Sequence, residues 1–468
     1  MAGDSTVSAR THLAAAGVAA LPDDWDAVEL GNLLAEERGI SVGVMYPGDH
    51  FPDGVPLIKA GDLNGSIINP HPEFRISREK HHEYRRTELE GGELVMTLVG
   101  NVGQCAVVPP RMAGWNTARA VAVIRLSDPS EAQFVQQCLL SRPLQHLMDV
   151  WCNTTVQATL NLKEIRQLPL PWPPKHCRDT IAAFGKALDD KIELNRRMNA
   201  TLEAMARALF QSWFVDFDPV MAKMDRRKPD GLEAATAALF PASFQDSPIG
   251  RIPKGWEVER FDAHITAERG LSYKGEGLRD DCTGVPMHNL NSVYEGGGYK
   301  HEGIKYYAGE YREKHLLKPG DMIVTNTEQG FDHLLIGHAA IVPECYGPKG
   351  IYSHHIFRVR HKPSSAFSPH YLVELFNNRR WHYWISGFSN GTTINMLPMD
   401  ALEIPLLVVP PIELVKKFTV LAEAAHLQVE NNKEQSRNLA TMRDTLLPKL
   451  LSGEIRVVEA LREVEAKA

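Results

Sequence analysis

Between Ile181 and Leu209, the side chains Ile181, Phe184, Leu188, Lys191, Asn195, Met198, Leu202, Met205 and Leu209 fall at alternating steps of three and four. The same spacing returns at Phe418, Leu421, Ala425, Gln428, Asn432, Gln435, Leu439, Met442 and Leu446, each 237 positions on, as Phe418 is from Ile181. Such steps keep residues on one face of an α-helix. They predict two long helices, each with a heptad seam that is apolar at both ends and polar in the middle, at Lys191–Asn195 and Gln428–Asn432. We expect the two to pair with each other as an antiparallel coiled coil, with the asparagines helping to fix register. The alternative is that each helix packs only on its own neighbouring domain. Pro448 is expected to limit how far the second seam continues.

Outward from the helices, the chain is duplicated. Leu21-Pro22-Asp23-Asp24-Trp25 opens one unit and Ile252-Pro253-Lys254-Gly255-Trp256 another. Gly92-Glu93-Leu94-Val95-Met96-Thr97 matches Gly320-Asp321-Met322-Ile323-Val324-Thr325, and Thr154-Thr155-Val156-Gln157 matches Thr392-Thr393-Ile394-Asn395. Each unit closes in a proline-rich run, Leu168 to Pro174 and Ile404 to Pro411. Short β-branched runs bounded by Gly, Pro and Asn read as strands and hairpins. Phe134 to Met148 and Tyr371 to Trp384 read as helices. The fold class is therefore α+β: two mixed α/β modules in tandem repeat, each followed by a long helix, with pseudo-two-fold symmetry. The expected divisions are an N-terminal extension (1–20), a first module (21–174), a central spacer helix (175–220), a linker (221–250), a second module (251–411), a C-terminal spacer helix (412–455) and a tail (456–468). A helix over about residues 178–214 would be roughly 55 Å long at about 1.5 Å per residue. That exceeds the roughly 34–36 Å of one turn of B-DNA, so such a chain suits two separated stretches of a duplex.

Function is narrowed first by what is missing. No GxxxxGK[ST] phosphate loop, HExxH zinc motif or dinucleotide fingerprint occurs. There is no Asp/Asn-Pro-Pro-Tyr/Phe run of the amino-methyltransferase kind; Asp218-Pro219 continues into Val220. Pro229-Asp230-Gly231-Leu232-Glu233 resembles half of a nuclease carboxylate motif but lacks the lysine, and reads as linker. Of the 19 histidines, 11 lie in residues 251–410, with no metal-ligand spacing among them. The six cysteines are scattered and read as reduced core thiols of a cytoplasmic protein. No apolar run approaches the roughly 18 residues of a membrane span, so no membrane association is expected.

A formal charge of −7 argues mildly against nucleic acid, but the basic residues are clustered. Residues 22–174 carry 13 Lys+Arg against 19 Asp+Glu, and residues 251–410 carry 17 against 18. In the first module the cluster is Arg75, Arg78, Lys80, Tyr84, Arg85 and Arg86. In the second it is Lys300, Lys305, Tyr306, Tyr307, Tyr311, Arg312 and Lys314. Lys and Arg neutralise phosphates, Arg forks onto guanine, and Tyr hydroxyls add phosphate contacts. A solvated charged loop is the competing reading, since Glu83, Glu310 and Glu313 are interspersed. The polar turns holding Thr155 with Gln157, and Thr393 with Asn395, are second candidates because Gln and Asn pair with adenine.

Two stretches resemble a known family. Asn195-Arg196-Arg197-Met198-Asn199 through Phe210-Gln211-Ser212-Trp213-Phe214-Val215-Asp216-Phe217-Asp218-Pro219-Val220 is similar to the central conserved region of type I restriction-modification specificity subunits. The ending Leu446-Leu447-Pro448-Lys449-Leu450-Leu451-Ser452-Gly453-Glu454-Ile455 resembles that family too. The resemblance implies a non-catalytic chain whose modules are target-recognition domains. Each would read one half of a split, asymmetric double-stranded DNA target, with unread bases between the halves. It implies two methyltransferase subunits and restriction/translocase subunits as partners. S-adenosylmethionine, ATP and Mg would be bound by those partners and no cofactor by this chain. The competing classes are a stand-alone DNA-modifying enzyme with an unrecognised active site and a protein-binding helical scaffold.

Overall fold

A computed structural model of the chain describes residues 2–18, 21–36, 39–152, 158–330, 332–391 and 394–465. The chain divides into two compact units, residues 1–197 with 433–468, and residues 198–432.

The first unit starts with a helix, Ala2–Ala15, that buries Ala9 and Leu13 in the main core, so the segment expected to be an extension is part of the packing. Trp25 closes a turn through its N–H to the Pro22 carbonyl (3.0 Å), and strand Asp26–Glu29 then pairs antiparallel with Pro169–Trp172. An antiparallel sheet runs in the order Ile40–Val42, Val121–Ile124, Leu94–Thr97, Cys105–Val107. Its central strands are apolar on both faces, because both are covered. Leu94, Met96, Ala122 and Ile124 enter the main core, while Val95, Ala106, Val121 and Val123 enter a smaller one behind. A second sheet orders Arg75–Ile76, Val55–Ile58 and Asn116–Thr117.

The second unit repeats this plan. Trp256 N–H reaches the Pro253 carbonyl (3.1 Å), and Glu257–Arg260 pairs with Leu406–Val409. The antiparallel sheet runs Ile265–Arg269, Ile356–His361, Met322–Thr325, Ala339–Ile341. Each module also carries two short helices where the spacing predicts one: Ala132–Leu140 with Arg142–Trp151, and Pro369–Asn377 with Arg379–Ser386. The breaks fall at Ser141 and Asn378, whose extended backbones suit a helix start; the Asn378 side chain accepts the Arg380 N–H. Residues 221–250, expected to be a linker, contain helix Ala234–Ala238 and the hairpin Phe244–Ser247 with Gly250–Pro253. The C-terminal segment holds the helix Val457–Glu465, which buries Ala460 in the first unit.

The long helices are Lys175–Phe210 and Ile412–Leu451, each opening directly after a Pro-Pro pair. In the first unit, Asp189 accepts from Arg443 (2.7 Å), and Asn195 donates to Gln435 (2.9 Å) and Ser436 (3.2 Å). As one number rises the partner's falls, so the helices are antiparallel there. Ile181, Phe184, Leu188 and Leu446 are buried, and Leu439 and Met442 pack against the same core. In the second unit, Asn432 donates to Asn199 (2.9 Å) and Phe418 packs on Phe210 (ring centroids 5.5 Å apart), again antiparallel. Leu202 is half-buried and Leu209 packs against that unit's core.

The seam differs in phase from the expected one. Met205 (63% exposed) and Leu421 (52% exposed) face outward, and Met198, Lys191 and Gln428 are exposed too. Asn199, Ala206, Ala422 and Val429, each one position later, turn inward. A three–four alternation and a four–three alternation share every second position, so spacing alone does not choose between them. The small side chains of Ala206 and Ala422 are turned inward, and the larger Met205 and Leu421 are left outside. Pro448 does not stop the helix: it removes a single backbone donor one turn before the end, and Leu450 and Leu451 beyond it are buried. Gly453 follows with φ +74°, and a Cβ there would lie 2.5 Å from Pro22, so the terminal Ser-Gly fits a close approach to the Trp25 turn.

The first long helix ends in a π-turn, Gln211–Val215, followed by Phe217 in the left-handed region and a new helix from Asp218–Pro219. The wider turn directs Trp213 and Phe214 into an aromatic cluster with Phe210, Tyr371, Phe418 and Trp256.

Two substitutions test the phase. Phe418→Ala should destabilise the full chain by about 3–5 kcal/mol in denaturant unfolding, whereas Leu421→Ala should change it by less than about 0.5 kcal/mol. A cost of several kcal/mol for Leu421→Ala would restore the expected seam.

Candidate nucleic-acid interface

The two basic segments fold differently. In the first module, Ser77 caps the helix Arg78–Glu83 by accepting the Lys80 N–H (3.1 Å), and a 3-10 turn, Arg85–Thr87, follows. Asn116 ties this segment down, donating to the Tyr84 carbonyl (3.2 Å) and accepting from Thr87 (2.8 Å). Arg78, Arg85 and Arg86 are exposed, whereas half-buried Arg75 donates to the Gly54 carbonyl (3.1 Å) and Lys80 pairs with Glu83 (2.7 Å). Tyr84 packs its ring beside Val44, Leu57 and Ile76.

In the second module the segment holds strand Lys305–Tyr307, between Leu278–Arg279 and Val285–His288. Alternation sends Tyr307 inward: it is buried, and a Cβ on Gly277 would lie 2.3 Å from its ring. Tyr307 is therefore a core residue and not a DNA contact. Lys305 and Tyr306 are half-buried, Lys300 lies over the Tyr294 ring (5.7 Å), and Tyr311 is half-buried beneath Lys349 (5.4 Å). Arg312 and Lys314 are exposed. Thr155, Gln157 and Thr393 lie outside the described residues. Asn395 is buried and its amide donates to the Gly330 carbonyl, so it is used in holding a loop and is not available to a base.

That loop belongs to a pair that sequence reasoning missed. In the first module, the Gly103 N–H donates to the Thr97 carbonyl (3.0 Å) and the Thr97 hydroxyl donates to the Asn101 carbonyl (2.5 Å). In the second, the Gly337 N–H donates to the Thr325 carbonyl (2.8 Å) and the Thr325 hydroxyl to the Leu335 carbonyl. Both glycines have φ +86°, a conformation an L side chain rarely adopts. A side chain from the second short helix braces each loop: Gln145 donates to the Gly103 carbonyl (3.0 Å), and His382 Nε2 donates to the Ile336 carbonyl (2.8 Å). Each loop is also zipped to the chain that follows that helix. Leu160 N–H donates to the Leu98 carbonyl (3.0 Å), and Leu397 N–H to the Asn326 carbonyl (2.8 Å).

Between these fasteners the inserts diverge. Residues 98–102 make a short turn with Gly100 and Asn101 exposed. Residues 326–330 and 332–336 belong to a longer excursion whose strand Thr327–Gln329 pairs with Ile394–Met396. Buried Glu328 organises it by accepting the N–H groups of Leu334 (2.9 Å), Leu335 (3.1 Å) and Ile336 (2.9 Å). Gln329, Asp332 and Leu334 are left exposed. A concavity of about 700 Å³ beside the loop is lined by Asp332, His333, Arg379, Arg380, Tyr383 and Gln211. The repeated Thr…Gly spacing was the available signal; its two lengths hid it.

The histidines are not grouped as a metal site, and no set of three or more His, Cys, Asp or Glu able to hold a metal occurs among the described residues. His338 and His382 stack (centroids 3.8 Å apart), and burial pushes His338 down to about 4. Burial likewise pushes His288, which meets the Tyr299 hydroxyl (2.9 Å), down to about 4. Cys105 and Cys138 are buried, but Cys282 and Cys345 are exposed, so not all six are core thiols. No helix among the described residues is long and apolar enough to cross a membrane.

No protein-family model matches the chain. It is 45% identical over 345 residues to the HindI type I restriction enzyme specificity subunit of Haemophilus influenzae, covering 63% of this chain and 71% of that one. It is 22% identical over 456 residues to the MjaIX specificity subunit of Methanocaldococcus jannaschii, covering 94% and 95%. Among solved structures it shares its fold with a type I restriction-modification S subunit from M. genitalium, with a TM-score of 0.54 and 12% identity, covering 91% and 96%.

Two outcomes follow from the loop geometry. Glu328→Ala should speed hydrogen exchange at amides 334–336 by about tenfold or more, since a charged acceptor is lost, and leave residues 98–103 unchanged; unchanged protection at 334–336 would contradict the clamp. Because His288 and His338 titrate near 4 in the fold but near 6.5 when unfolded, their contribution to stability is full above pH 6.5. That contribution should fall as pH drops toward 4, by about 1.4 kcal/mol per pH unit for each histidine. Thermal unfolding of the full chain from pH 7 to pH 5 reads this slope, and His338→Gln should remove its share.

Proposed function

The chain belongs to the type I restriction enzyme specificity subunits, and from that premise we propose that it reads the two unequal halves of a split double-stranded DNA target for a modification and restriction complex. The observation that carries this reading is the 45% identity with a specificity subunit across 71% of that protein. It is supported by two modules built on one plan, each carrying a differently shaped loop on the same fasteners. The chain supplies recognition; methyl transfer, ATP-driven translocation and cleavage fall to partners. Those partners are two methyltransferase subunits, which bind S-adenosylmethionine and extrude an adenine from the duplex, and restriction subunits, which use ATP and Mg. Exposed Arg78, Arg85, Arg86, Arg312 and Lys314 neutralise phosphates, which makes binding salt-dependent and positions the modules without choosing a sequence. The long helices set how many bases go unread between the halves.

Incubated alone with S-adenosylmethionine and DNA, the purified chain should transfer no methyl group, while the complex with methyltransferase subunits should methylate adenines in a split motif. Methyl transfer by the chain alone would overturn the reading. Inserting four residues after Ala200, about one helical turn or 6 Å, should lengthen the unread spacer by about one to two base pairs at 3.4 Å each and leave both halves intact. Altered halves at constant spacing would contradict the spacer role.

A further inference from the structure

Loops 98–102 and 326–336 share an anchoring scheme and nothing else. A segment whose task is structural has no reason to differ between two modules with the same sheet order, the same glycine geometry and the same brace from the following helix. A segment that selects between targets does. We propose that these two loops are the sequence-reading elements of the chain, with Asn101 reading a base in one half-site and Gln329 reading a base in the other; this rests on the DNA-recognition reading above.

Three observations converge on these two side chains. Each is exposed on a loop whose ends are fixed by backbone hydrogen bonds, Thr97 with Gly103 and Thr325 with Gly337. The side chain thus projects from a support that stays put when its tip changes. Each carries a carboxamide, the group that pairs with both N6 and N7 of adenine in the major groove. The amides that act as braces, Gln145 and Asn395, donate instead to loop carbonyls, which separates the supporting amides from the presented ones. Around the second loop, exposed Arg379 and Arg380 share a concavity with Asp332 and His333, which provides cations for the phosphates that flank a base contact. Among the described residues, the Asn101 side chain meets Gln104 alone (3.4 Å), a long contact that a base edge would replace with little loss. Its backbone carbonyl is what holds the loop, so truncating the side chain spares the fastener.

The loops also account for unequal halves. Five residues (98–102) present one short tip, whereas eleven (326–336), stiffened by Glu328 and the pairing with Ile394–Met396, present a longer edge with Gln329, Asp332 and His333.

The test expresses the full chain with its methyltransferase subunits in cells free of other adenine methylation and maps the modified adenines. Asn101→Ala should relax one position of one half-site, raising methylation at the three alternative bases by about tenfold or more relative to the original target. Gln329→Ala should relax one position of the other half. Both variants should melt like the parent, because neither side chain holds the fold. Two results would overturn the proposal: motifs as narrow as the parent's for both variants, or relaxation of the same half by both. A third variant keeps it falsifiable if a point substitution leads to degradation. Replacing 98–102 with the corresponding loop of a relative of different specificity should rewrite one half-site only, and an unchanged motif would overturn the assignment. A parent chain that directs no split adenine motif at all would instead sink the DNA-recognition reading itself.

Discussion

Two loops of different length and sequence are held by their ends in this chain, and two backbone contacts do the holding. The Gly103 N–H meets the Thr97 carbonyl, and the Gly337 N–H meets the Thr325 carbonyl. In each case the threonine is the last residue of a fully buried strand, so its carbonyl is as fixed as the core itself. The glycine supplies the positive φ that turns the chain back. The threonine hydroxyl then reaches a carbonyl near the loop's far end, consuming a polar group that burial would otherwise leave unsatisfied. With the ends settled, five residues or eleven can be hung between them without disturbing the sheet.

The long helices solve a related problem by different means. Their ends are apolar and sit in the cores of the units, Leu446, Leu447, Leu450 and Leu451 in the first and Phe418 in the second. Their middles carry Asn195, Asn199 and Asn432, which a purely apolar seam would exclude. Asn195 with Gln435 and Ser436, and Asn432 with Asn199, give hydrogen bonds that a slipped register would break. Asp189 with Arg443 adds a partly buried ion pair that is costly to leave half-made. The seam thus gives up some apolar burial and gains a unique alignment within each unit.

Much of this was legible in the sequence. The repeated motifs exposed the duplication, the 237-residue offset the matching long helices, and the proline-rich runs marked where those helices follow. The seam phase was not legible, because two alternations share half their positions and Leu421 looks more core-like than Ala422 by residue type, although Ala422 is the buried one. Tyr307 and Asn395 look like nucleic-acid contacts by type, yet strand alternation buries one and a loop carbonyl takes the amide of the other. Long-range fastening was invisible for the same reason: Glu328 reads as a surface charge until three N–H groups are found around it. Residue type indicates what a side chain is able to do, and the fold decides which of its partners arrives first.

The central claim is that one chain with two differently looped modules directs modification to a split target. The most direct measurement is the genome-wide map of modified adenines in the source cells with and without this chain. The account predicts a motif of two unequal halves around a fixed run of unread bases, abolished when the chain is removed. A contiguous or palindromic motif, or one that persists without the chain, would contradict it.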